Sequence, residues 1–478
     1  MPVYHKHIDI VTPPYLKPKR SHLTAVSVEA NFRPPSSTFS ILPTELQIEI
    51  FVHFLPTYPR VGTAEGPVLL SRVCKSWRQL VYFTPRLWSS FEVDVTAASV
   101  DTPSTYAKSN DMMTRWLQLS KNYPLSVRIV HNPLGRVPDQ RSARLVAALI
   151  PHTHRWRNIQ LIIPASDVVT LQQPLPLNLP QLQTLTLHLN GNWSSRSSLD
   201  ITTLNISWHQ LAILDLQLEH NNLLSFDKCL EILSQTERLE RFSVNAECVL
   251  TCPGDFTEPI LLPKLETLDL VLHGGASGIA ESHMTHFLAR LSLPRLCDLR
   301  LAWLVRQAAA WAPNQFNFVT FLRSVAQTTC SLSIRYLPLS ADQLVECLSA
   351  LPNVCHLDLR FSLGDCENDP ITDQFFTKCT VHASADRMKR RTPNPHILPN
   401  LHYLNLHCYG KRYTSPVFVA FLESRMKVPQ SEPGPLPTST LTSFHLLSML
   451  PPLPSMEKRL GRYRLQGLDV SVETLLVR

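Results

Sequence analysis

Apolar residues recur along this chain at the first, fourth and sixth positions of a short pattern. Clear copies are LQTLTL from Leu182, LAILDL from Leu211, LETLDL from Leu265, LCDLRL from Leu296, VCHLDL from Val354, LHYLNL from Leu401 and LQGLDV from Leu465. Positions four and six alternate with polar residues, as Leu268 and Leu270 do, and this is the period of a strand with one buried face. Each copy therefore predicts one β-strand.

Weaker copies extend the pattern. They are WRNIQL from Trp156, LERFSV from Leu239, SLSI around Leu332 and, nearer the N-terminus, WSSFEV and YPLSVRIV. Between copies, apolar residues at spacings of three and four predict helices in FDKCLEILSQT, ESHMTHFLARL, NQFNFVTFLRSVAQ, SADQLVECLSAL and PVFVAFLESRM. The sequence thus alternates strands with helices over most of its length.

The period of this alternation is close to that of leucine-rich repeats. Leu182 and Leu211 are 29 residues apart, and Leu211 and Leu239 are 28 apart. A strand alternating with a helix at this period is typical of a solenoid that has a parallel sheet on its concave side and helices on its convex side. The 47 residues between Val354 and Leu401 exceed the period. We therefore predict an irregular array.

In such a solenoid, the third, fifth and seventh positions of each strand face the concave surface. These positions hold polar, charged and aromatic side chains: Asp298, Arg300, His356, Asp358, Arg360, Tyr403, Asn405 and His407. Together they could select a protein partner by hydrogen bonds and paired charges. A solvated sheet face is the alternative for each residue taken alone.

A different pattern occupies the stretch ILPTELQIEIFVHFLP, Ile41 to Pro56. Pro43 favours a first helical turn, and Thr44 with Gln47 has capping-box spacing, which predicts a helix from Pro43 or Thr44 to about Leu55. Its apolar residues cover an arc of roughly 240°, whereas a surface helix needs only about 100°. The polar strip consists of Glu45, Glu49 and His53. The excess apolar face predicts a contact beyond this helix.

Two further short helices are predicted after a loop. Pro67 can begin the first, PVLLSRVC, and KSWRQLVYF forms the next, with Trp77, Leu80 and Val81 at helical spacing; TPRLW closes the unit. Three short helices are too few to form an independent core of much stability. An exposed apolar surface here would be a docking site, unless the rest of the chain covers it.

Residues 41 to about 93 resemble the F-box domain in the form common among fungal F-box proteins. The resemblance rests on LPTELQIEIF followed by LLSRVCKSWRQLVYFTPRLWSSFEVDV, with a first loop longer than usual. It implies binding of the Skp adaptor of Skp–cullin–F-box ubiquitin ligases. The residues that would form or support the adaptor surface are Leu42, Pro43, Ile50, Phe51, Leu55, Val73 and Trp77.

An F-box followed by leucine-rich repeats resembles a substrate receptor, whose partners are the adaptor, through it a cullin–RING ligase, and a client protein. The α/β organisation then comprises an arm (1–38), the F-box (39–93) and an irregular solenoid (94–478) with inserted loops near 384–397 and 427–440. Such a receptor is not an enzyme and needs no cofactor, because it contributes proximity and orientation. The alternative is a non-catalytic leucine-rich-repeat scaffold with no part in ubiquitination.

Composition bears on three further questions: nucleic acid binding, membrane insertion and cellular compartment. A hydrophobic share of 44% can build a substantial core, and a net charge of +7 spread over 478 residues is weak support for nucleic acid binding. No run of about 18 apolar residues predicts a membrane span. Eleven cysteines without a paired framework indicate reduced thiols in the cytosol or nucleus. The tripeptide KRR, residues 389–391, is a short basic run that more often marks a solvated loop than an import signal.

The strongest catalytic candidate is HGGASG, His273 to Gly278, because a His-Gly-Gly run can supply backbone donors for an oxyanion. No G-x-S-x-G elbow accompanies it, although a hydrolase would make Ser277 the residue to test. The pairs His152/His154, His283/His286 and Cys248/Cys252 lack the further ligands of a zinc site. We therefore predict no metal and no catalytic residue.

Overall fold

The computed structural model describes residues 38–62, 65–95, 103–132, 141–172, 179–190, 201–204, 206–218, 222–251, 258–274, 279–305, 311–361, 367–381, 397–426, 440–450 and 454–475. The expected N-terminal arm and the expected loops near 384–397 and 427–440 lie almost wholly outside these residues. The chain divides into two compact units, Met1–Glu49 and Ile50–Arg478. In the first unit, a 3₁₀ turn at Thr38–Ile41 precedes the start of helix α1 (Thr44–Phe54).

Three short helices begin the described chain, as the sequence predicts. Helix α1 is followed by α2 (Gly66–Leu70), α3 (Lys75–Phe83) and a 3₁₀ turn at Pro85–Trp88. The side chain of Gln47 donates to the carbonyl of Leu42 at 2.7 Å, which ties the first turn of α1 to the preceding residues. The Cys74 thiol caps α3 by accepting from the Trp77 amide.

The second unit is built around one large parallel sheet. Its strands are β1 (Ser90–Asp94), β2 (Leu125–Val130), β3 (Trp156–Pro164), β4 (Thr184–Asn190), β5 (Ile213–Gln217), β6 (Leu224–Ser225), β7 (Arg241–Glu247), β9 (Thr267–His273), β11 (Asp298–Trp303), β12 (Ser331–Arg335), β13 (His356–Arg360), β14 (Tyr403–Cys408), β15 (Ser443–Ser448) and β16 (Asp469–Thr474); β8 (Ile260–Leu261) and β10 (Leu291–Ser292) form a small separate sheet. Apart from β6, which pairs only with β7, the large sheet follows chain order. The predicted parallel sheet is confirmed.

Buried apolar residues hold the strands in register. Leu299 of β11 pairs with Leu268 of β9 and with Leu332 of β12, and all three are buried. Leu301 likewise pairs with a buried leucine on one side and a buried isoleucine on the other. Because the side-chain period of a strand is two, a slip of one residue would expose both rows at once.

Most strands are joined by helices, and five of these helices occupy the segments from which the sequence predicts them. The helices are α4 (Pro103–Leu119), α5 (Arg141–Leu149), α6 (Phe226–Ser234), α7 (Ala280–Ala289), α8 (Gln315–Val325), α9 (Ala341–Ser349), α10 (Asp373–Cys379), α11 (Ser415–Met426) and α12 (Pro454–Leu465). Helices α7 to α11 pack on one another in sequence. The second unit therefore has the solenoid-like α/β organisation expected of stacked strand–helix units.

Two details near the C-terminus differ from the sequence interpretation. The prediction that Leu465 opens a strand copy is wrong, since this residue ends α12 and is 89% exposed. Pairing of Phe444 with Val470 places the copy two residues later, so Val470 and Val472 occupy positions four and six. The sequence analysis also missed β15, although LTSFHL from Leu441 fits the pattern.

Candidate functional site

A row of mostly polar residues, one from each successive strand, crosses the large sheet. We call it the polar row: Glu92, Arg128, Gln160, Thr186, Asp215, Ser243, Asp269, Arg300, Ser333, Asp358, Asn405, His445 and Ser471. Its members alternate along each strand with the buried apolar positions, so they share the opposite face of the sheet. This face is the first candidate site.

All eight residues predicted to bind a client lie on this face. Arg300, Asp358 and Asn405 belong to the polar row. Asp298, His356 and Tyr403 occupy the row beside it on the N-terminal side, and Arg360 pairs with His407 on the C-terminal side. The structure therefore brings together side chains that are more than a hundred residues apart in sequence.

Asp358 is the centre of one hydrogen-bond network on this face. Its carboxylate accepts from the Ser333 hydroxyl at 3.0 Å, from the Arg360 guanidinium at 3.0 Å and from the Asn405 amide at 2.6 Å. Three donors from three adjacent strands satisfy one acceptor group. Because Asn405 itself is buried, it orients Asp358 but offers little surface area to a partner.

A second network surrounds Asp269. The guanidinium of Arg335 lies 3.6 Å from its carboxylate and that of Arg300 lies 4.0 Å away, while Arg300 pairs more closely with Asp298 at 2.6 Å. Burial raises the pKa of Asp269, and the two arginines act against this shift. The hydrogen bond to Asp298 raises the pKa of Arg300. Charges of both signs thus alternate across this part of the face.

Aromatic rings lie beside these charges. The Tyr403 ring centroid is 6.0 Å from that of His356 and 5.5 Å from that of His445. Burial raises the pKa of Tyr403, with a further contribution from Asp358. Burial and the neighbouring Arg360 lower the pKa of His407. Tyrosine and arginine side chains of this kind dominate the energy of many protein interfaces.

Sequence reasoning missed several residues of the same face, among them Asp215, Asp269 and Arg335. The Asp215 carboxylate accepts hydrogen bonds from His188 at 3.0 Å and from Gln217. Burial raises the pKa of Asp215, but its hydrogen-bond donors lower it by more, so the pKa lies below its ordinary value. The signal was present, because Asp215 and Asp269 hold position five of LAILDL and LETLDL. Strand register, which aligns these positions with Asp358, could not be read directly from the sequence.

The second candidate site consists of exposed apolar side chains on the short helices of the second unit. Ile50 and Phe54 lie one helical turn apart on α1, Leu69 lies on α2, Val73 follows it, and Phe83 ends α3. All five are exposed, Phe54 to 61% and Phe83 to 79%. Water contact on so many large apolar groups is unfavourable, and such surfaces typically bind another protein.

The residues predicted for adaptor binding divide into exposed and supporting groups. Ile50 and Val73 are exposed, whereas Leu55 and Trp77 are partly exposed. Phe51 belongs to the supporting group, because this ring is 1% exposed and packs on Trp77 at 4.7 Å. Phe54 and Phe83 are exposed instead, and the wide apolar arc of α1 was the signal for Phe54.

In the first unit, the two predicted adaptor residues remain accessible. Pro43 is exposed and Leu42 is partly exposed. Leu46, another apolar residue of α1, is also exposed. All three side chains are therefore accessible to solvent.

The catalytic candidates gain no support from the described residues. Ser277 lies outside them, while Gly274 adopts a left-handed conformation (φ 62°) after β9, as a turn residue would. His283 accepts from the Leu250 amide at 3.1 Å, which gives it a structural role. Among the described residues, no group of three or more His, Cys, Asp or Glu is arranged to hold a metal ion.

None of the described helices has the length and hydropathy of a membrane-spanning segment. No protein-family model matches this chain. No curated protein matches it either.

Proposed function

We propose that this chain is the substrate-receptor subunit of a Skp–cullin–F-box ubiquitin ligase. The proposal rests first on the resemblance of residues 41–93 to an F-box and of the later repeats to leucine-rich repeats. The observation that carries it is the exposure of Ile50, Phe54, Val73 and Phe83 on or next to short helices, in which Phe51 and Val81 are buried. The short helices thus keep a small core while presenting apolar side chains to solvent.

The physical argument concerns the division of apolar residues between core and surface. A folded chain that leaves several large apolar side chains accessible loses their hydrophobic stabilisation, which is about 1.5–3 kcal/mol for each fully buried side chain. A partner that covers them recovers part of this free energy. An adaptor protein with a complementary apolar groove is the partner that the F-box resemblance implies.

The polar face of the sheet would then bind the client. Its paired charges and its aromatic rings can distinguish partners by complementary charge and hydrogen bonding. In this role the protein holds a client near a ubiquitin-charged enzyme, so it requires no nucleophile of its own. The client face and the helical docking residues serve separate steps and can be tested separately.

Adaptor binding is tested by co-expressing the full chain with a Skp adaptor and isolating the complex. We expect a stable complex with the natural sequence and none with Ile50→Asp combined with Val73→Asp, because these substitutions put charges on exposed apolar positions. Both residues are exposed, so the variant should keep its fold. Phe316→Asp is the matched control, since Phe316 is exposed on α8 of the repeat region.

Failure of the natural chain to bind any Skp adaptor would overturn the proposal. If the complex forms, affinity capture with the Ile50/Val73 variant should retain clients without their ubiquitination. Adding Arg360→Glu to that variant should release clients held by the polar face, while Arg295→Glu, on an exposed residue outside the strands, should not.

A further inference from the structure

Three cysteines lie side by side at the N-terminal ends of three neighbouring strands of the large sheet. Cys297, Cys330 and Cys355 each immediately precede a strand, namely β11, β12 and β13, and all three are partly exposed. The Cys330 amide donates to the Cys297 carbonyl at 2.9 Å, and the Cys355 amide donates to the Cys330 carbonyl at 2.8 Å. These bonds place the cysteines on successive neighbouring strands. We call the three residues the thiol ladder.

The side chains of the thiol ladder follow the same order. The Cys330 thiol donates to the Cys297 carbonyl at 3.5 Å, and the Cys355 thiol lies 3.2 Å from the Cys330 carbonyl. Desolvation raises the pKa of Cys330 to about 12, and hydrogen bonds and charge from Cys297 and Cys355 add to this effect. Each of these two thiols therefore lies against the backbone carbonyl of the preceding ladder residue.

His356 adds a proton acceptor at one end. Its Nδ1 lies 3.1 Å from the Cys355 sulfur. An imidazole at hydrogen-bond distance can accept the thiol proton while the sulfur attacks an electrophile. Cys355 is thus the thiol of the ladder best placed to react first.

The other described cysteines have different surroundings. Cys229, Cys248, Cys347, Cys379 and Cys408 are buried, and burial raises the pKa of each thiol. Cys74 is exposed at the start of α3. Partial exposure together with neighbouring thiols is therefore the property that distinguishes the thiol ladder.

We propose that the thiol ladder is a peroxide-sensitive site at which Cys330 forms a reversible disulfide, preferentially with Cys355. Cys355 attacks hydrogen peroxide, the O–O bond breaks, and a sulfenic acid and one water form as His356 relays the thiol proton. The Cys330 sulfur then attacks the sulfenic sulfur, and the second water leaves with the Cys330 proton. In total, two thiols and one peroxide give one disulfide and two waters.

Strand spacing restricts which bonds can form. Neighbouring strands lie about 4.8 Å apart, so adjacent ladder residues fall within the roughly 4.4–6.8 Å between Cα atoms that a disulfide spans. Cys297 and Cys355 are two strands apart, about 10 Å, and cannot be joined without backbone movement. Every ladder disulfide must therefore contain Cys330, and only one can form at a time.

The test uses the purified full-length chain in a Cys74→Ser background. The reduced protein is treated with hydrogen peroxide, free thiols are alkylated, and linked peptides are identified by mass spectrometry without reduction. We expect Cys330–Cys355 as the main ladder product, with Cys297–Cys330 as a minor one. His356→Gln should slow formation of the main product by about tenfold or more, as loss of a general base does.

Two variants make the proposal falsifiable. Cys330→Ser should abolish both ladder disulfides, and the double variant Cys297→Ser with Cys355→Ser should abolish them while keeping Cys330. Circular dichroism checks that each variant is folded. A ladder disulfide that persists in Cys330→Ser, or the absence of any Cys330 disulfide in the natural ladder, would overturn the inference. Neither result depends on whether the chain binds a Skp adaptor.

Discussion

The ring of Phe51 packs against that of Trp77 with 4.7 Å between centroids and 59° between planes. This contact joins α1 to α3, which are separated along the chain by a loop and by α2. Because Ile50 and Phe54 lie on either side of Phe51 in sequence, the anchored ring determines which apolar residues of α1 remain accessible.

Phe51→Ala should therefore lower the free energy of unfolding by about 3 kcal/mol, the usual cost of emptying a buried phenylalanine site. Ile50→Ala, at the exposed neighbouring position, should change it by no more than about 0.5 kcal/mol. Urea denaturation of both variants measures the difference. Equal losses would contradict the assignment of Phe51 to the core and Ile50 to the surface.

The strands were predictable because one short pattern carries two independent signals. In VCHLDL, the alternation of Leu357 and Leu359 predicts the buried face of the strand. The polar residues that alternate with them, His356 and Asp358, predict the opposite face. The end of the array was harder, since Leu465 satisfies position one of the pattern yet belongs to α12. Alternation with a period of two does not distinguish registers that differ by two residues.

Contacts between distant segments were not predictable. ESRM near the end of α11 looks like an ordinary polar helix end, yet Arg425 is buried. The position of the thiol ladder likewise depends on strand pairing, since its members are 33 and 25 residues apart. The sequence identifies the chemical character of these side chains, but only the fold shows which residues they contact.

Arg425 should be a major determinant of stability. Its guanidinium donates to the carbonyls of Cys379 at 2.6 Å, Ile397 at 2.6 Å and Leu398. Arg425→Met would leave buried carbonyls without donors, at an expected cost of about 3 kcal/mol in the free energy of unfolding. Arg323→Met is the matched control, because Arg323 is exposed in the last turn of α8. A comparable loss in urea denaturation for both variants would refute the role of Arg425.

Replacing either of two glycines with alanine should change the stability of the protein, but in opposite directions. Gly66 begins α2 with φ at +66°, and an added Cβ would lie 2.7 Å from Cβ of Pro59. Gly66→Ala should therefore cost about 1–3 kcal/mol. Gly461 lies within α12 with open space around it, so Gly461→Ala should stabilise by about 0.5–1 kcal/mol. Thermal unfolding would show a lower and a higher midpoint, respectively, and a shift of both in one direction would contradict this prediction.

His407 should make stability depend on pH. Burial and the adjacent Arg360 lower its pKa in the folded chain, against smaller opposing effects of Asp358 and Glu473. Below about pH 6.5, the ordinary histidine pKa, His407 therefore binds a proton more readily in the unfolded chain than in the folded one. The free energy of unfolding decreases as the pH falls through this range, until the pH has passed below the folded-state pKa. His407→Gln should reduce the loss of stability measured by urea denaturation between about pH 8 and pH 5.5. His402→Gln, at an exposed position preceding the same strand, should retain the loss seen with the natural sequence. An unchanged pH profile in His407→Gln would show that Arg360 and burial do not act on this residue as the structure indicates.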